Sequence, residues 1–272
     1  MYAMLCFPGF RKKALTFSYD DGTVYDEGLV KIFDKYSLKG TFNINSGLCG
    51  KGRRMQLSEL VDLYGDRHEV AVHGECHLGL MDVGESFAVR EIMNDRLALE
   101  EAFGRTVCGM AYAYGDYTDA TVAIAKSCGI VYSRTCAQTC RFDIPTDWLR
   151  MPSTCHHKHP RLSELTDKFL DTTPPRSFVH DEPKLFYVFG HSYEFNDDNN
   201  WDLIENFAAK VSGREDVWYA TNIEIYDYVR AFDSLRFSAD GQTVYNPTAT
   251  DVYLDHFGKK FRLRPGETVK AN

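Results

Sequence analysis

Strand-like apolar runs alternate with helix-like segments along most of this chain, and this alternation restricts the fold more than any other feature. Apolar residues at helical spacing predict helices at 24–36, 57–64, 85–103, 118–128, 162–170, 200–211 and 222–232. Strands are predicted beside them at 13–20, 41–44, 69–72, 107–111, 130–134, 185–189 and 217–220. About seven strand-helix units predict an α/β fold with a parallel sheet closed, or nearly closed, into a barrel.

The pattern changes after residue 234. Short runs at 236–238, 243–245, 251–254 and 260–263 alternate polar and apolar residues between Gly and Pro turns. Such alternation is typical of antiparallel strands with one buried face. We therefore expect a barrel domain at residues 1–234 and a small β-rich appendage at 235–272 that packs on it.

Composition excludes some classes of partner. The 272 residues carry a net charge of −8, and basic residues are only modestly scattered near the C-terminus, which argues against nucleic acid and anionic membranes as partners. The N-terminal residues show no secretion signal, so we expect a cytoplasmic protein whose eight cysteines are reduced thiols. A zinc site built from Cys136, Cys140 and Cys155-His156-His157 is a weaker hypothesis, because paired Cys-x2-Cys knuckles are missing.

Polar residues follow two of the predicted barrel strands. Asp20 and Asp21 end the first of these strands, and adjacent carboxylates directed into one pocket need a cation or a shared proton. His73 and His77 follow the strand at 69–72. One Asp with two His is an open ligand set for catalytic zinc, and the carboxyl ends of barrel strands are where active sites form. The second aspartate is then available as a base.

Later strand ends add Tyr112-Ala113-Tyr114-Gly115, Asp147-Trp148 and Phe189-Gly190-His191. Together with Ser18-Tyr19-Asp20-Asp21-Gly22 and His73-x3-His77, their order and intervals resemble the polysaccharide deacetylases of carbohydrate esterase family 4, the NodB-homology proteins. The resemblance covers roughly residues 13–232. It implies a metal-dependent hydrolase on a distorted (β/α)7 TIM-like barrel.

The resemblance also implies a role for each matching residue. Asp21, His73 and His77 would bind a divalent metal, with zinc preferred and cobalt, nickel or manganese as alternatives. Asp20 would be the catalytic base and His191 the catalytic acid, with Asp147 as the carboxylate partner of that acid. The backbone N-H of Tyr114 would stabilise the oxyanion, and Trp148 would form an aromatic pocket wall.

This sequence departs from the family pattern in two motifs. The third motif usually has Arg-x-Pro-Tyr, with the arginine pairing the base, but here the aligned stretch is 111–114, Ala-Tyr-Ala-Tyr. We take Arg150 as the candidate replacement, because it lies beside a motif residue. The second motif usually has Ser or Thr after its first histidine, where this chain has Gly74. Glu75 is either a fourth ligand or, the favoured interpretation, a solvated carboxylate.

Three further residues are candidate supports of the site. Glu194 would orient His191 or bind a sugar hydroxyl, and His156 and His157 would contact substrate from a loop at the barrel mouth. The alternative for each is a solvated loop position. Thr221-Asn222-Ile223-Glu224 follows the last barrel strand and is interpreted as a helix capping box.

The function expected from these residues is removal of an acetyl group from an N- or O-acetylated sugar, oligosaccharide or glycan precursor. Two alternatives stay open. The first is an amide hydrolase of a small non-sugar nitrogenous compound on the same scaffold, and the second is a non-catalytic carbohydrate-binding protein that retains a metal. Neither the oligomeric state nor the exact substrate is specified by the sequence.

Overall fold

The computed structural model describes residues 3–173 and 182–270, and its centre is a parallel sheet of nine strands. These strands are β2 (Lys13–Asp20), β3 (Thr41–Ile44), β4 (Glu69–Val72), β5 (Gly109–Ala111), β6 (Tyr132–Gln138), β7 (Met151–Ser153), β8 (Cys155–His156), β9 (Lys184–His191) and β10 (Val217–Tyr219). All their pairings are parallel, in the order β7-β6-β5-β4-β3-β2-β9-β8, with β10 on β2.

The two ends of this sheet meet within one stretch of chain. β7 pairs with β6, β8 pairs with β9, and only Thr154 separates β7 from β8. Thr154 itself accepts a backbone hydrogen bond from Cys140 beyond β6 (2.9 Å) and donates one to Tyr187 of β9 (2.9 Å). Residues 151–156 therefore close the sheet. Because β7 and β8 share one position between β6 and β9, and β10 adds only to β2, the ring has seven positions, which confirms the distorted seven-fold barrel.

Helices cover the outside of the barrel. They are α1 (Asp26–Lys35), α2 (Leu57–Tyr64), α3 (Glu85–Phe103), α4 (Asp119–Ser127), α5 (Leu162–Leu170), α6 (Tyr193–Asp197), α7 (Trp201–Val211) and α8 (Asn222–Asp233). Thr221 caps α8 in a capping box with Glu224, as the sequence predicts, because each side chain accepts the other residue's backbone N-H. The apolar helix faces pack on strand residues such as Phe17, Phe42 and Val188 to form the main core.

The C-terminal segment forms antiparallel strands, as expected. They are β11 (Arg236–Phe237), β12 (Thr243–Tyr245), β13 (Val252–His256), β14 (Lys259–Leu263) and β15 (Thr268–Lys270). The first strand of the chain, β1 (Ala3–Cys6), pairs antiparallel with β13. The division at residue 234 did not anticipate this pairing, because partners so distant in sequence leave no local signal.

Among residues 3–173 and 182–270, no helix combines the length and the apolar character that a membrane crossing needs. All eight cysteines lie in this part of the chain, and all are free thiols.

Candidate active site and metal centre

The carboxyl ends of β2 and β4 bring the predicted metal ligands together. The candidate ligand atoms of Asp21, His73 and His77 all lie within 4.8 Å of one another. His77 Nε2 is 3.8 Å from Asp21 Oδ1, and His73 Nε2 is 3.8 Å from Asp20 Oδ2. His73 is buried, whereas Asp21 and His77 are half-buried, so the group opens towards the barrel mouth.

Both turns that carry these ligands leave their strands through positive φ angles. Asp21 has φ 84° and Gly22 has φ 62°, while Gly74 and His77 have φ 84° and 58°. Left-handed backbone at non-glycine residues is uncommon and is concentrated at functional sites. The tight turns direct side chains that would otherwise continue along the strand into the barrel mouth.

Helix α3 holds the histidine turn from behind with two buried carboxylates. Asp95 accepts hydrogen bonds from the backbone N-H groups of His73 (2.9 Å) and Ser46 (2.7 Å). Glu91 accepts one from the N-H of Cys76 (3.0 Å). Burial raises the pKa of Asp95 to about 7, although the hydrogen bonds from Ser46 and His73 act to lower it. Helix α3 thus fixes the turn after β4. The spacing of apolar residues predicts this helix but not its contact with the turn.

The histidines present the donor chemistry that a divalent cation needs. His73 Nδ1 lies 2.8 Å from the carbonyl oxygen of Ala111, an acceptor, which assigns the proton to Nδ1 and leaves the lone pair of Nε2 facing the site. Burial, reinforced by His73, lowers the pKa of His77, which favours the neutral ring that binds metals. Asp21, His73 and His77 therefore fit a divalent ion of the zinc type.

Asp20 lies beside this group and is held by two buried partners. Arg134 of β6 donates a charged hydrogen bond to Asp20 Oδ2, and Asn43 of β3 donates to Oδ1 (2.7 Å). Burial opposes ionisation of Asp20, but the positive charge of Arg134 above all, with His191 and the hydrogen bond from Asn43, outweighs it and lowers the pKa of Asp20 to about 2. Asp20 is therefore an ionised carboxylate with a fixed orientation.

Arg134 replaces the family's missing arginine, and the prediction of Arg150 for this role was wrong. Arg150 pairs with Asp147 (2.8 Å) and Asp119, towards the outside of the barrel. Arg134 lies in register with Ala111, the first residue of the aligned third motif, on the adjacent strand. The guanidinium thus reaches Asp20 from one strand further along. The prediction used closeness in sequence to Trp148. The contact with Asp20 depends instead on which strands lie beside one another in the barrel.

His191 ends β9 and faces Asp20, with its Nε2 3.9 Å from Asp20 Oδ2. Glu194, one turn later, accepts from the backbone N-H of His191 (3.0 Å), and its Oε2 lies 3.3 Å from His191 Nδ1. Burial disfavours the charged imidazole, but Glu194 and Asp20 outweigh it, so the pKa of His191 is raised.

The expected partnership of Asp147 with His191 is wrong. Asp147 accepts from Arg150 and from the N-H of Leu149, and it caps the short 3-10 turn Trp148–Arg150. Glu194 occupies the position beside His191 instead. The family motif led to Asp147, whereas the first of the two roles expected for Glu194, orienting His191, agrees with this contact. Glu194 reaches the ring because α6 follows β9 directly.

His156 and His157 lie on the other side of Glu194. His156 Nε2 is 3.1 Å from Glu194 Oε2, and its Nδ1 accepts the backbone N-H of Lys158 at 3.1 Å, so His156 donates to Glu194 through Nε2. His157 is buried and stacks between Tyr19 and Phe195. A Cβ at Gly190 would lie 2.1 Å from His157 Nδ1, so glycine is required there. His157 is thus a packing residue, and the expected substrate contact at this residue is wrong.

Two of the predicted pocket residues have different surroundings. Tyr114 sits at φ 60° in the 3-10 turn Ala113–Gly115, and its ring packs edge-on against His77 with centroids 4.6 Å apart. Its backbone N-H has no acceptor within the described part of the chain, as an oxyanion donor requires. Trp148 packs in a core cluster against Tyr226 of α8, 5.2 Å between centroids. The prediction of Trp148 as a pocket wall was therefore wrong.

The weaker metal hypotheses find no support among the described residues. Glu75 accepts from Asn94 of α3 (2.8 Å) and groups with Cys76 and Glu91, apart from Asp21, His73 and His77. Cys155 is buried, and Cys140 contacts His159 (Sγ to Nε2, 3.6 Å).

Gly74 explains the missing hydroxyl residue of the second motif. Its φ is +84°, and a Cβ there would lie 3.0 Å from Glu91 Oε2. We expect Gly74→Ser to lower the free energy of unfolding by about 1–2 kcal/mol and to weaken zinc binding, because the turn must adopt a strained backbone. Denaturant unfolding and zinc titration test this. Gly84→Ser is the control: this helix N-cap has φ −66° and open space, so stability should not fall.

Three buried polar residues were not identified from the sequence: Asn43, Asp95 and Arg134. Each left a signal. Asn43 stands in a buried strand and Arg134 in the buried first half of β6, and charged or amide side chains are rarely buried in parallel strands without a partner. Asp95 stands on the α3 face that packs on the barrel.

The fold and the site together define an α/β barrel with an Asp-His-His group and a carboxylate–imidazole pair at its mouth. Residues 8–133 match the family model described as polysaccharide deacetylase. This match confirms the resemblance of the chain to the polysaccharide deacetylases. Among curated proteins, no match to the sequence is found.

Solved structures of low sequence identity share the fold. A Mycobacterium smegmatis protein assigned to the polysaccharide deacetylases is 17% identical, with a TM-score of 0.62 over 85% of this chain and 95% of that chain. A Bacillus anthracis pseudoenzyme of carbohydrate esterase family 4 is 16% identical, with a TM-score of 0.52 over 82% of this chain and 67% of that chain.

One further match is partial. The Streptococcus pyogenes deacetylase PplD, solved in complex with acetate, is 21% identical, with a TM-score of 0.43 over 44% of this chain. This chain spans 55% of the length of that protein.

Proposed function

We propose that this protein is a metal-dependent hydrolase that removes an acetyl group from an N- or O-acetylated sugar. The observation that carries the proposal is the position of Asp20 and His191. Their facing atoms lie 3.9 Å apart, directly beside the Asp21-His73-His77 group. A fixed anionic base opposite an imidazole with a raised pKa is the pairing that acyl transfer requires.

Each residue has a task that follows from its surroundings. Asp20, ionised and fixed by Arg134 and Asn43, accepts a proton from the attacking water. His191, whose protonated form Glu194 favours by raising its pKa, donates a proton to the leaving nitrogen or oxygen. The free N-H of Tyr114 donates to the carbonyl oxygen as negative charge develops on it. Asp21, His73 and His77 would hold the divalent ion, which makes a water acidic and polarises the acyl carbonyl.

Release of acetate from a panel of N- and O-acetylated sugars tests the proposal. Each sugar is incubated with the zinc-loaded protein and with the chelator-treated protein. We expect release that stops with chelator and returns when zinc is restored. Asp20→Asn should bind zinc but lose at least about 100-fold in rate, because the base is gone. Acetate release that chelation leaves unchanged would contradict the metal-dependent mechanism.

The same panel addresses the alternatives. Binding of a sugar without release of acetate would favour the non-catalytic protein, a relevant outcome because the Bacillus anthracis structure is of a pseudoenzyme. Inactivity on all sugars with hydrolysis of a small cyclic imide or ureide would favour the non-sugar amide hydrolase.

A further inference from the structure

A second arginine lies at the candidate metal group. Arg54 Nη2 donates to Asp21 Oδ1 at 3.0 Å, the same oxygen that faces His77 Nε2. The loop that carries Arg54 is fixed against the turn after β2 by a bridge to Thr23 and by the hydrogen bond from Met55 N-H to the Gly22 carbonyl (3.0 Å). Arg54 is therefore a built part of the site.

The guanidinium of Arg54 has unused donors. Within the described residues its side chain makes only the hydrogen bond to Asp21, and its buried Nε has no partner. The side chain is 25% exposed, so it is accessible from the barrel mouth. A planar guanidinium with free N-H groups is suited to carboxylate and phosphate oxygens.

Both aspartates at the end of β2 have an arginine partner. Asp20 pairs with Arg134, and Asp21 pairs with Arg54. The neighbouring Arg53 pairs with Asp197 instead (2.8 Å). A divalent ion held by Asp21, His73 and His77 would add two positive charges next to Arg54 and Arg134, an excess over the two negative charges of Asp20 and Asp21. An anionic ligand would offset that excess, because unpaired charge in a region of low dielectric is costly.

We propose that Arg54 makes this site selective for acetylated sugars that carry a carboxylate or phosphate group, by binding that group beside Asp21. This inference rests on the proposed deacetylase function and adds a substrate class to it. Arg54 belongs to the segment Lys51-Gly52-Arg53-Arg54, in which three of four residues are basic although the protein as a whole is acidic. Neutral sugars would lack the group that Arg54 binds.

Matched pairs of substrates test the selectivity. N-acetylglucosamine is compared with its 6-phosphate and with N-acetylmuramic acid, which adds a carboxylate. With the zinc-loaded protein, we expect kcat/KM for at least one anionic sugar to exceed that for the neutral sugar about tenfold or more. The two arms distinguish phosphate from carboxylate as the preferred group.

Arg54→Gln should reduce this ratio to within about threefold, and Arg54→Lys should retain part of it because the charge remains. Arg53→Gln is the matched control, an adjacent exposed arginine paired with Asp197, and should keep the wild-type ratio. Thermal unfolding of each variant shows whether it is folded. Equal kcat/KM for neutral and anionic sugars, or an equal effect of Arg54→Gln on both, would overturn the inference while leaving deacetylation intact.

Binding measured by calorimetry separates this inference from the proposed function. Glucosamine, glucosamine 6-phosphate and muramic acid are titrated into the wild-type and Arg54→Gln proteins, each loaded with zinc. We expect at least one anionic product to bind wild type about tenfold more tightly than glucosamine, and Arg54→Gln to lose the difference. This result would support the anion site even if no acetylated sugar were hydrolysed. Equal binding of all three would contradict it.

Discussion

Arg134→Ala is expected to lower kcat/KM for acetate release at least about 100-fold and the free energy of unfolding by about 3–5 kcal/mol. The guanidinium is fully buried and hydrogen-bonds Asp20, which is itself buried. Its removal leaves a carboxylate without a charged partner in the barrel interior and frees the base to reorient. Acetate release and urea unfolding measure the two effects.

Arg150→Ala is the matched control for Arg134→Ala. Arg150 is more exposed, and both of its ion pairs, with Asp147 and Asp119, lie near the surface. We expect a change in stability within about 1 kcal/mol and little change in rate. A double variant, Arg134→Ala with Ala111→Arg, places the arginine on the adjacent strand in register and should recover part of the activity. Equal losses in Arg134→Ala and Arg150→Ala would contradict the assignment of Arg134.

Glu194→Gln is expected to move the alkaline limb of the pH–rate profile about 1–2 pH units lower. Burial lowers the pKa of His191, and the hydrogen bond and charge of Glu194 raise it, with Asp20 also contributing. Without the charge of Glu194, the effect of burial on the pKa of His191 is opposed less strongly. The imidazole then loses its proton at lower pH. The acid form required for proton donation is then scarce at pH 8, and kcat/KM should fall about tenfold or more relative to pH 6.

The sign of the stability effect follows from the same pKa. The pKa of His191 is higher in the folded than in the unfolded protein, so His191 stabilises the fold fully at pH values below the ordinary imidazole pKa. This stabilisation is lost as the pH rises through the pKa of His191 in the folded protein. The groups that act on the ring are Asp20 and Asp21 at the end of β2, Glu194 and Tyr193 from α6, and His156 from β8.

Asp147→Asn is the control for Glu194→Gln, because Asp147 contacts Arg150 and does not contact His191. Its pH–rate profile should coincide with that of wild type. Full pH–rate profiles of all three proteins, with thermal unfolding at pH 6 and pH 8, make the comparison. A shift in Asp147→Asn and none in Glu194→Gln would restore the family arrangement and contradict the role of Glu194.

Most of the barrel could be predicted from sequence because its signals are local. The helix at 162–170 and the capping box at Thr221 were predicted residue by residue, since apolar periodicity and capping depend on neighbours within one or two turns. The ends of β2 and β4 were predicted equally well. Asp20, Asp21, His73 and His77 were therefore expected at one edge of the sheet. The pairing of β1 with β13 was not predictable, because it joins segments about 250 residues apart in sequence.

The sequence by itself determined most of the strand-helix order and the ends of β2 and β4, and therefore that Asp20, Asp21, His73 and His77 meet at the barrel mouth. Only the tertiary structure decided that Arg134 pairs with Asp20 and Arg54 with Asp21, and that Glu194, for which two roles were open, is the partner of His191 in place of Asp147. The reason is physical. A parallel strand fixes where its own residues emerge, but an ion pair depends on distances across strands and turns, which sheet register and barrel closure set.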